Sequence, residues 1–289
     1  MKIHLVDGTY ELFRSHFGAP PKKSASGMEV GATLGLVRSM KLLLSDPQVT
    51  HVAVAFDHVI ESFRNKMYKD YKTSAGVDPA LMAQFPLAEK AVSALGIVVW
   101  PMVKFEADDA IATAVAKFKK VKSVEQIVIC SVDKDLTQMV DGDRVTCWDR
   151  RREITLNDKG VIEKFGVSPE SIPDFLALVG DSADGYPGIQ GWGEKSTSTV
   201  LAKYKHIEAI PNDPNKLGLG LGRATTLLEN LQKNYKAALL FRELSTLRTD
   251  VPLKETLADL KYQGAYPRLK KLCHELGDER IPERITKWR

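Results

Sequence analysis

Three acidic side chains stand within four positions at residues 106–109. Glu106, Asp108 and Asp109 begin an alanine-rich stretch, 107–118, whose composition predicts a helix. Acidic residues in the first turn of a helix are stabilised by its dipole, so one interpretation is a capped and solvated helix start. Adjacent like charges also repel one another, and a bound cation relieves that repulsion. The second interpretation is therefore a cation site.

Further aspartates follow the predicted strands. Three apolar runs with the length of buried strands end in aspartate, at Asp7, Asp57 and Asp133, and Asp135 follows the third. These runs alternate with helix-like stretches, which predicts an α/β fold with a parallel, twisted sheet flanked by helices. The carboxyl ends of parallel strands meet at one edge of a sheet, where binding sites form. We therefore expect all of these carboxylates to gather at that edge.

Two more carboxylates, Asp181 and Asp184, follow an apolar stretch that is predicted to be a helix, 171–179. Acidic residues at the carboxyl end of a helix oppose its dipole, which favours a functional role over a structural one. Hard oxygen ligands without His or Cys select Mg²⁺ or Mn²⁺ rather than zinc. Nine such carboxylates predict at least two metal positions, and paired divalent ions suit the hydrolysis of phosphate esters.

The segment 61–84 differs in composition from its surroundings, because residues 63–72 interleave aromatic and basic side chains, and 79–94 is predicted to be helical. Arg64 and Lys72 are predicted to bind phosphates. Tyr71 is predicted to stack on a base. This segment therefore suggests that the phosphate ester is a nucleic acid.

A glycine turn at Gly191 and Gly193 begins another predicted helix. Backbone amides at such a turn approach a phosphate oxygen closely, with the helix dipole behind them and Lys195 adding positive charge. These three residues and Ser196 are expected to contact nucleic acid, and a plain helical hairpin is the alternative. A second glycine run, 218–222, follows no predicted strand, which excludes a dinucleotide site there.

Charge is distributed unevenly along the 289 residues. Residues 1–185 hold 23 Lys and Arg against 25 Asp and Glu, whereas residues 186–289 hold 18 against 12. An acidic part joined to a basic part suits a metal site beside a polyanion-binding surface, with a random fluctuation of surface charge as the alternative. Together with the acidic residues, this distribution predicts a metal-dependent nuclease.

The composition is that of a soluble globular protein, with 44% hydrophobic and 27% charged residues. No apolar run reaches the roughly 18 residues of a membrane span, and the apolar N-terminus is too short for a signal peptide. Three widely spaced cysteines argue against a disulfide framework or a zinc motif. We therefore expect a cytoplasmic protein without a membrane partner and, in the absence of heptads or an exposed apolar stripe, a monomer.

Seven sequence blocks in order resemble the 5′-nuclease (flap endonuclease) family. The resemblance is closest to bacterial and phage 5′–3′ exonucleases and to the N-terminal nuclease domain of DNA polymerase I. The blocks are Leu5-Val6-Asp7-Gly8, Phe56-Asp57, Phe63-Arg64 with Tyr71-Lys72, Glu106-Ala107-Asp108-Asp109, Asp133-Lys134-Asp135, 175–184, and Pro187-Gly188 with 191–195. They span almost the whole chain, so the resemblance is far more specific than any single motif.

This resemblance implies a domain organisation and a set of site residues. It implies a PIN-like α/β domain at 1–180 with a helical arch at about 61–90, and a helical DNA-binding region at 181–289 with a helix-hairpin-helix-type motif at about 186–205. The implied first metal site consists of Asp7, Asp57, Glu106, Asp108 and Asp109, and the implied second site consists of Asp133, Asp135, Asp181 and Asp184. Lys72 and Arg14 are implied to contact the scissile phosphate.

The implied activity is that of a structure-specific 5′–3′ exonuclease and flap endonuclease in DNA replication or repair. It hydrolyses DNA phosphodiesters by two-metal-ion catalysis and leaves a 5′-phosphate and a 3′-hydroxyl. The implied partners are DNA with 5′ flaps and frayed or free 5′ ends. The implied cofactors are two or more Mg²⁺ ions, for which Mn²⁺ substitutes, with K⁺ at the hairpin as in some relatives. Because no polymerase region follows residue 289, we expect a free-standing nuclease.

The sequence departs from the family pattern at two places. Relatives often carry an arginine shortly after the Tyr-Lys pair, but residues 73–76 of this chain contain none. The missing arginine concerns how tightly the arch holds the 5′ strand. Gly185-Tyr186 replaces the family's Asn-Ile.

One alternative function is a non-catalytic DNA-structure-binding homologue, which would bind flaps without cutting them. A haloacid-dehalogenase-like phosphatase is disfavoured, because its motif requires aspartate where Leu5 stands.

Overall fold

The computed structural model of the protein describes residues 1–18 and 20–289, which fall into two compact units. The first unit comprises Met1–Ser62, Ser74–Val132 and Arg248–Arg289. The second unit comprises Phe63–Thr73 and Asp133–Leu247. Both units combine segments that are distant in the sequence, so the domain boundary between residues 180 and 181 stays a prediction.

Strands and helices alternate along the first half of the described residues, and helices follow. The strands are β1 (Lys2–Asp7), β2 (His51–Asp57), β3 (Val98–Met102), β4 (Gln126–Cys130), β5 (Val145–Asp149) and β6 (Ile154–Leu156). The α-helices are α1 (Gly8–Gly18), α2 (Gly31–Leu44), α3 (Pro79–Met82), α4 (Phe85–Ala94), α5 (Ala107–Phe118), α6 (Asp158–Phe165), α7 (Ile172–Val179), α8 (Glu194–Tyr204), α9 (Leu221–Lys233), α10 (Tyr235–Ser245), α11 (Arg268–Glu275) and α12 (Arg280–Glu283).

The first unit is built on four parallel strands in the order β3-β2-β1-β4. The register places Leu5 of β1 opposite Ala53 of β2 and Ile129 of β4, and all three side chains are fully buried. Continuous apolar strands of this kind are typical of a parallel sheet that is covered by helices on both faces. The predicted α/β fold with a parallel sheet is confirmed.

The second unit contains the antiparallel pair of β5 and β6, in which Cys147 lies opposite Leu156, together with helices α6 to α10. A half-buried ion pair joins α7 and α10: Asp174 Oδ1 accepts a hydrogen bond from Arg242 Nη1 at 3.1 Å. Helix α6 has a clear signal at each end, because the Asn157 side chain caps its start and Gly166, with a φ of 73°, ends it.

The segment predicted to form an arch, 61–90, is only partly helical. It contains the 3₁₀ turn Phe63–Lys66, α3 and the beginning of α4, and no described helix spans it. The segment 79–94 is helical as predicted, with a break between α3 and α4, because Pro86 cannot donate a hydrogen bond to the carbonyl of Met82. An arch over the site stays a prediction. Among the described helices, none is long and apolar enough to cross a membrane.

Candidate active site

The first group of predicted ligands, at the ends of neighbouring strands, lies in the first unit. Asp7 ends β1 and Asp57 ends β2, and both side chains are buried. The carboxylate of Asp7 accepts a hydrogen bond from the Ser131 hydroxyl at 2.8 Å and one from the Tyr10 amide at 2.8 Å. The Asp57 amide donates to the Thr9 hydroxyl at 2.8 Å, which joins the two strand ends. The strand-end prediction therefore places Asp7 and Asp57 correctly at one sheet edge.

The start of α5 meets this edge directly. Asp57 Oδ1 accepts a hydrogen bond from the Ala107 amide at 2.8 Å. Glu106, which is also buried, accepts one from the Ser62 hydroxyl at 2.6 Å through Oε1. The free amide hydrogens and the dipole at the start of α5 thus stabilise a carboxylate from a neighbouring strand. The structure brings Asp57 and Glu106 together as the sequence predicts.

Asp109 belongs to a capping box at the start of α5, which agrees with the capped-helix interpretation of the sequence. Its Oδ2 accepts a hydrogen bond from the Glu106 amide at 3.0 Å, and its Oδ1 accepts one from the Arg248 amide at 2.9 Å. The side chain is fully buried, whereas that of Asp108 is half-buried. Asp109 therefore holds the start of α5 and the Arg248 backbone in place. The metal-ligand role of Asp108 and Asp109 stays a prediction.

The second group of predicted ligands lies in the second unit, where two lysines contact two aspartates. Lys134 Nζ lies 2.8 Å from Asp181 Oδ2, and Lys72 Nζ lies 3.3 Å from Asp184 Oδ1. The Lys72 amide also donates to the Asp184 carbonyl at 3.0 Å, which fixes the segment carrying Tyr71 and Lys72 beside the aspartates. We call Asp133, Asp135, Asp181 and Asp184 the second acidic cluster.

Asp135 is subject to the negative charges of the other three members of the second acidic cluster. Its side chain is buried, and its Oδ1 has no hydrogen-bond partner among the described residues. Burial, reinforced by the charges of Asp133, Asp184 and Asp181, raises the pKa of Asp135 well above its usual range. Burial and the same cluster also raise the pKa of the Tyr186 hydroxyl, which therefore stays protonated.

These observations test whether the second acidic cluster fits a divalent ion. Its donors are hard carboxylate oxygens, and the buried Oδ1 of Asp135, which no described residue hydrogen-bonds, suits coordination of a cation. Over residues 1–18 and 20–289, no three His, Cys, Asp or Glu side chains are arranged as a complete metal site. The ammonium groups of Lys72 and Lys134 supply the balancing positive charge instead. The cluster thus fits Mg²⁺ in charge and donor type.

Lys134 is a site residue that the sequence reasoning quoted in a motif but assigned no role. Burial opposes its charge, but the hydrogen bond with Asp181 and the charges of Asp135 and Asp133 raise its pKa. The signal available in the sequence was a single lysine between two aspartates of an acidic motif, Asp133-Lys134-Asp135.

Arg14, a predicted phosphate contact, lies on α1 of the first unit. Its guanidinium forms an ion pair with the buried carboxylate of Glu11 and donates to the Ser39 hydroxyl at 3.1 Å. The Arg14 side chain is 30% exposed. Its outer part therefore stays accessible to a phosphate, while its inner contact neutralises a buried charge.

Arg64 and Tyr71 are not placed as the sequence predicts. Arg64 is only 1% exposed, and its guanidinium donates to the carbonyls of Leu244 at 2.7 Å and Thr246 at 3.2 Å. Tyr71 is 2% exposed, and its hydroxyl donates to Asp184 Oδ2 at 3.2 Å. Their burial argues against a phosphate contact for Arg64 and against base stacking by Tyr71. Both side chains instead position backbone or a carboxylate of the second unit.

The predicted hairpin has the expected backbone but not all of the expected contacts. Gly191 has a φ of 85°, and Gly193 precedes the first residue of α8. Lys195 is exposed, as a phosphate contact requires. Ser196 is buried, and its hydroxyl donates to the Gly193 carbonyl at 3.0 Å while accepting from Arg223 at 3.3 Å. Arg223, which is exposed, is the second basic residue here, and the sequence reasoning missed it.

Comparison with known proteins matches most of the chain to one family. The family model described as the N-terminal resolvase-like domain of 5′–3′ exonucleases matches residues 2–166, and the one described as the C-terminal SAM fold of 5′–3′ exonucleases matches residues 167–268. The chain is 32% identical to a 5′–3′ exonuclease of Aquifex aeolicus over 286 residues, which cover 99% of this chain and 95% of that protein.

Other relatives are longer or more distant. The chain is 30% identical to DNA polymerase I of Bacillus caldotenax over 98% of its own length but spans only 32% of that polymerase. Among solved structures, it resembles the T5 5′-exonuclease with bound zinc, at 17% identity and a TM-score of 0.68, covering 98% of this chain and 97% of that one. It also resembles the catalytic core of Rad2 in complex with DNA, at 13% identity and a TM-score of 0.62, covering 98% and 91% of the two chains.

Proposed function

The chain belongs to the 5′–3′ exonuclease family, and on this premise we propose that it is a Mg²⁺-dependent 5′–3′ exonuclease and flap endonuclease acting on DNA. Its substrates are DNA with 5′ flaps and frayed or free 5′ ends. Its products carry a 5′-phosphate and a 3′-hydroxyl. One observation supports the proposal beyond family membership: the second acidic cluster holds three buried carboxylates, and two lysines offset the repulsion between its charges.

The predicted ligands suit hydrolysis rather than transfer to a protein nucleophile. Divalent ions would be held in the first unit by Asp7, Asp57 and Glu106. In the second unit they would be held by the second acidic cluster. When bound, such ions supply an activated water molecule and stabilise the leaving oxygen. The hydrogen bonds from Ser131 to Asp7 and from Ser62 to Glu106 orient two of these carboxylates before any ion binds.

Two basic side chains are assigned to the phosphate. Lys72 is 26% exposed and Arg14 is 30% exposed, so both can reach a ligand without leaving their carboxylate partners entirely. Their charges would neutralise the phosphate oxygens as negative charge builds up on them. Lys195 and Arg223 would bind the duplex through phosphates farther along the strand.

A flap duplex labelled at its 5′ end tests the activity. We expect cutting near the junction with Mg²⁺ or Mn²⁺ and none with EDTA. DNA ligase should then join the downstream product strand to an adjacent 3′-hydroxyl, because the proposed cut leaves a 5′-phosphate on it. Flap binding without cutting under every divalent ion would instead identify a non-catalytic DNA-structure-binding homologue. Four further properties stay predictions: K⁺ at the hairpin, a role in replication or repair, a cytoplasmic location and a monomeric state.

A further inference from the structure

Lys134 has an unusual position for a basic side chain, because it lies within the acidic motif itself. Its neighbours in sequence are Asp133 and Asp135, and its ammonium group binds Asp181 at 2.8 Å. We propose that Lys134 is the internal counter-ion of the second acidic cluster, and that it must leave Asp181 when a divalent cation binds there. This inference rests on the proposed function, since it concerns the same site.

The second acidic cluster requires a counter-ion when no metal is bound. Asp181 and Asp135 are both buried, and in the part of the chain that the structure describes nothing hydrogen-bonds Asp135 Oδ1. A buried carboxylate without a neutralising partner is strongly destabilising. The other lysine, Lys72, pairs with a different aspartate: its Nζ lies 3.3 Å from Asp184 Oδ1. Lys134 therefore carries the charge that balances Asp181.

The same ion pair must open when a divalent cation binds. Asp181 Oδ1 accepts a hydrogen bond from the Ala183 amide at 2.9 Å, and Oδ2 is the oxygen that Lys134 contacts. Mg²⁺ binds a carboxylate oxygen at about 2.1 Å, so an ammonium group on the same oxygen would lie beside a double positive charge. The Lys134 side chain is 37% exposed, and its flexible stem lets the ammonium group move into solvent.

It follows that Lys134 weakens the affinity of the second acidic cluster for divalent ions. A single charge about 4 Å from a doubly charged ion repels it even at the dielectric constant of water, and we expect about tenfold tighter binding once that charge is removed. The same removal should lower the melting temperature in EDTA, because the carboxylates then lack a counter-ion. Added metal should restore it.

The test measures Mn²⁺ binding to the 289-residue chain by electron paramagnetic resonance, without DNA. Asp181→Asn identifies the Mn²⁺ that belongs to the second acidic cluster. Lys134→Met should bind that ion about tenfold more tightly, whereas Lys134→Arg, which keeps the charge, should match the wild type. Lys159→Met, which removes an exposed lysine on α6, is the control for net charge.

A second measurement compares melting temperatures in EDTA and in saturating Mn²⁺. We expect the difference between the two conditions to be larger for Lys134→Met than for the wild type and for Lys159→Met. Equal or weaker Mn²⁺ binding by Lys134→Met would overturn the inference while leaving the proposed function intact. If Asp181→Asn binds as many Mn²⁺ ions as the wild type, the second acidic cluster is not a metal site. The proposed counter-ion role of Lys134 is then refuted as well.

Discussion

The hydroxyl of Tyr71 donates a hydrogen bond to Asp184 Oδ2 at 3.2 Å inside the second unit. Lys72, the next residue, contacts the other oxygen of the same carboxylate at 3.3 Å. Two consecutive residues thus hold both oxygens of one predicted ligand. Tyr71 is therefore a positioning residue for Asp184, rather than the exposed stacking platform that its sequence neighbours suggest.

Replacing Tyr71 with Phe should slow cleavage several-fold at limiting Mg²⁺ and much less at saturating Mg²⁺, because Asp184 loses an orienting donor but keeps its position. The fold should be preserved, since only the hydroxyl is removed. Single-turnover cleavage of a flap duplex over a range of Mg²⁺ concentrations measures the effect. Base stacking predicts the opposite pattern, since Phe stacks as well as Tyr and the variant would then cleave normally at every concentration.

Replacing Arg64 with Met should lower the free energy of unfolding by about 2–4 kcal/mol, because the carbonyls of Leu244 and Thr246 lose buried donors. Urea unfolding measures this change. Arg151→Met, which removes an exposed guanidinium, should change stability by less than about 0.5 kcal/mol and serves as the control. If Arg64→Met is as stable as the wild type but binds DNA more weakly, Arg64 contacts DNA as the sequence predicts.

Gly185 and Gly76 form a matched pair for testing the segment next to Asp184. Both have a φ of 85°, so alanine is strained by about 1 kcal/mol at either position. A Cβ at Gly185 would lie 2.3 Å from the Asp70 carbonyl oxygen, whereas a Cβ at Gly76 would have no atom of residues 1–18 or 20–289 within 4 Å beyond its chain neighbours, so it would occupy open space. We expect Gly185→Ala to lose clearly more stability and to cleave more slowly, as thermal melting and a flap assay would show. Equal effects of both substitutions would mean that this close approach is unimportant.

Replacing Arg14 with Met should destabilise the protein by about 2 kcal/mol, because the buried carboxylate of Glu11 loses its guanidinium partner. Adding Glu11→Gln should recover most of that stability by removing the buried charge. If Arg14 contacts the scissile phosphate, the double variant will still cleave slowly although it is stable. If the double variant cleaves at the wild-type rate, Arg14 has only a structural role.

Local patterns predicted the elements that carry the first group of ligands. The apolar run ending at Asp57 and the helix 107–118 occur as predicted, because strand burial and helix capping are encoded by adjacent residues. The same locality explains why Asp109 fits both the cap and the ligand interpretations from sequence alone.

The errors arose where the partner is distant in the sequence. Arg64 binds carbonyls at Leu244 and Thr246, and an aromatic and basic segment offers no local sign of that burial. Tyr71 and Lys134 contact aspartates of the 181–184 segment for the same reason. A motif match shows which residues occur together, but only the fold shows which of them neutralise one another.

The most direct test of the central claim compares cleavage and binding by the wild type and Asp181→Asn on one flap duplex. Binding is measured with Ca²⁺ and cleavage with Mg²⁺. If the second acidic cluster holds a catalytic divalent ion, the variant should cleave at least about 100-fold more slowly and bind within about threefold of the wild type, since charge stabilisation in the reaction is lost while phosphate contacts remain. An Asp181→Asn protein that cleaves as fast as the wild type would contradict the account.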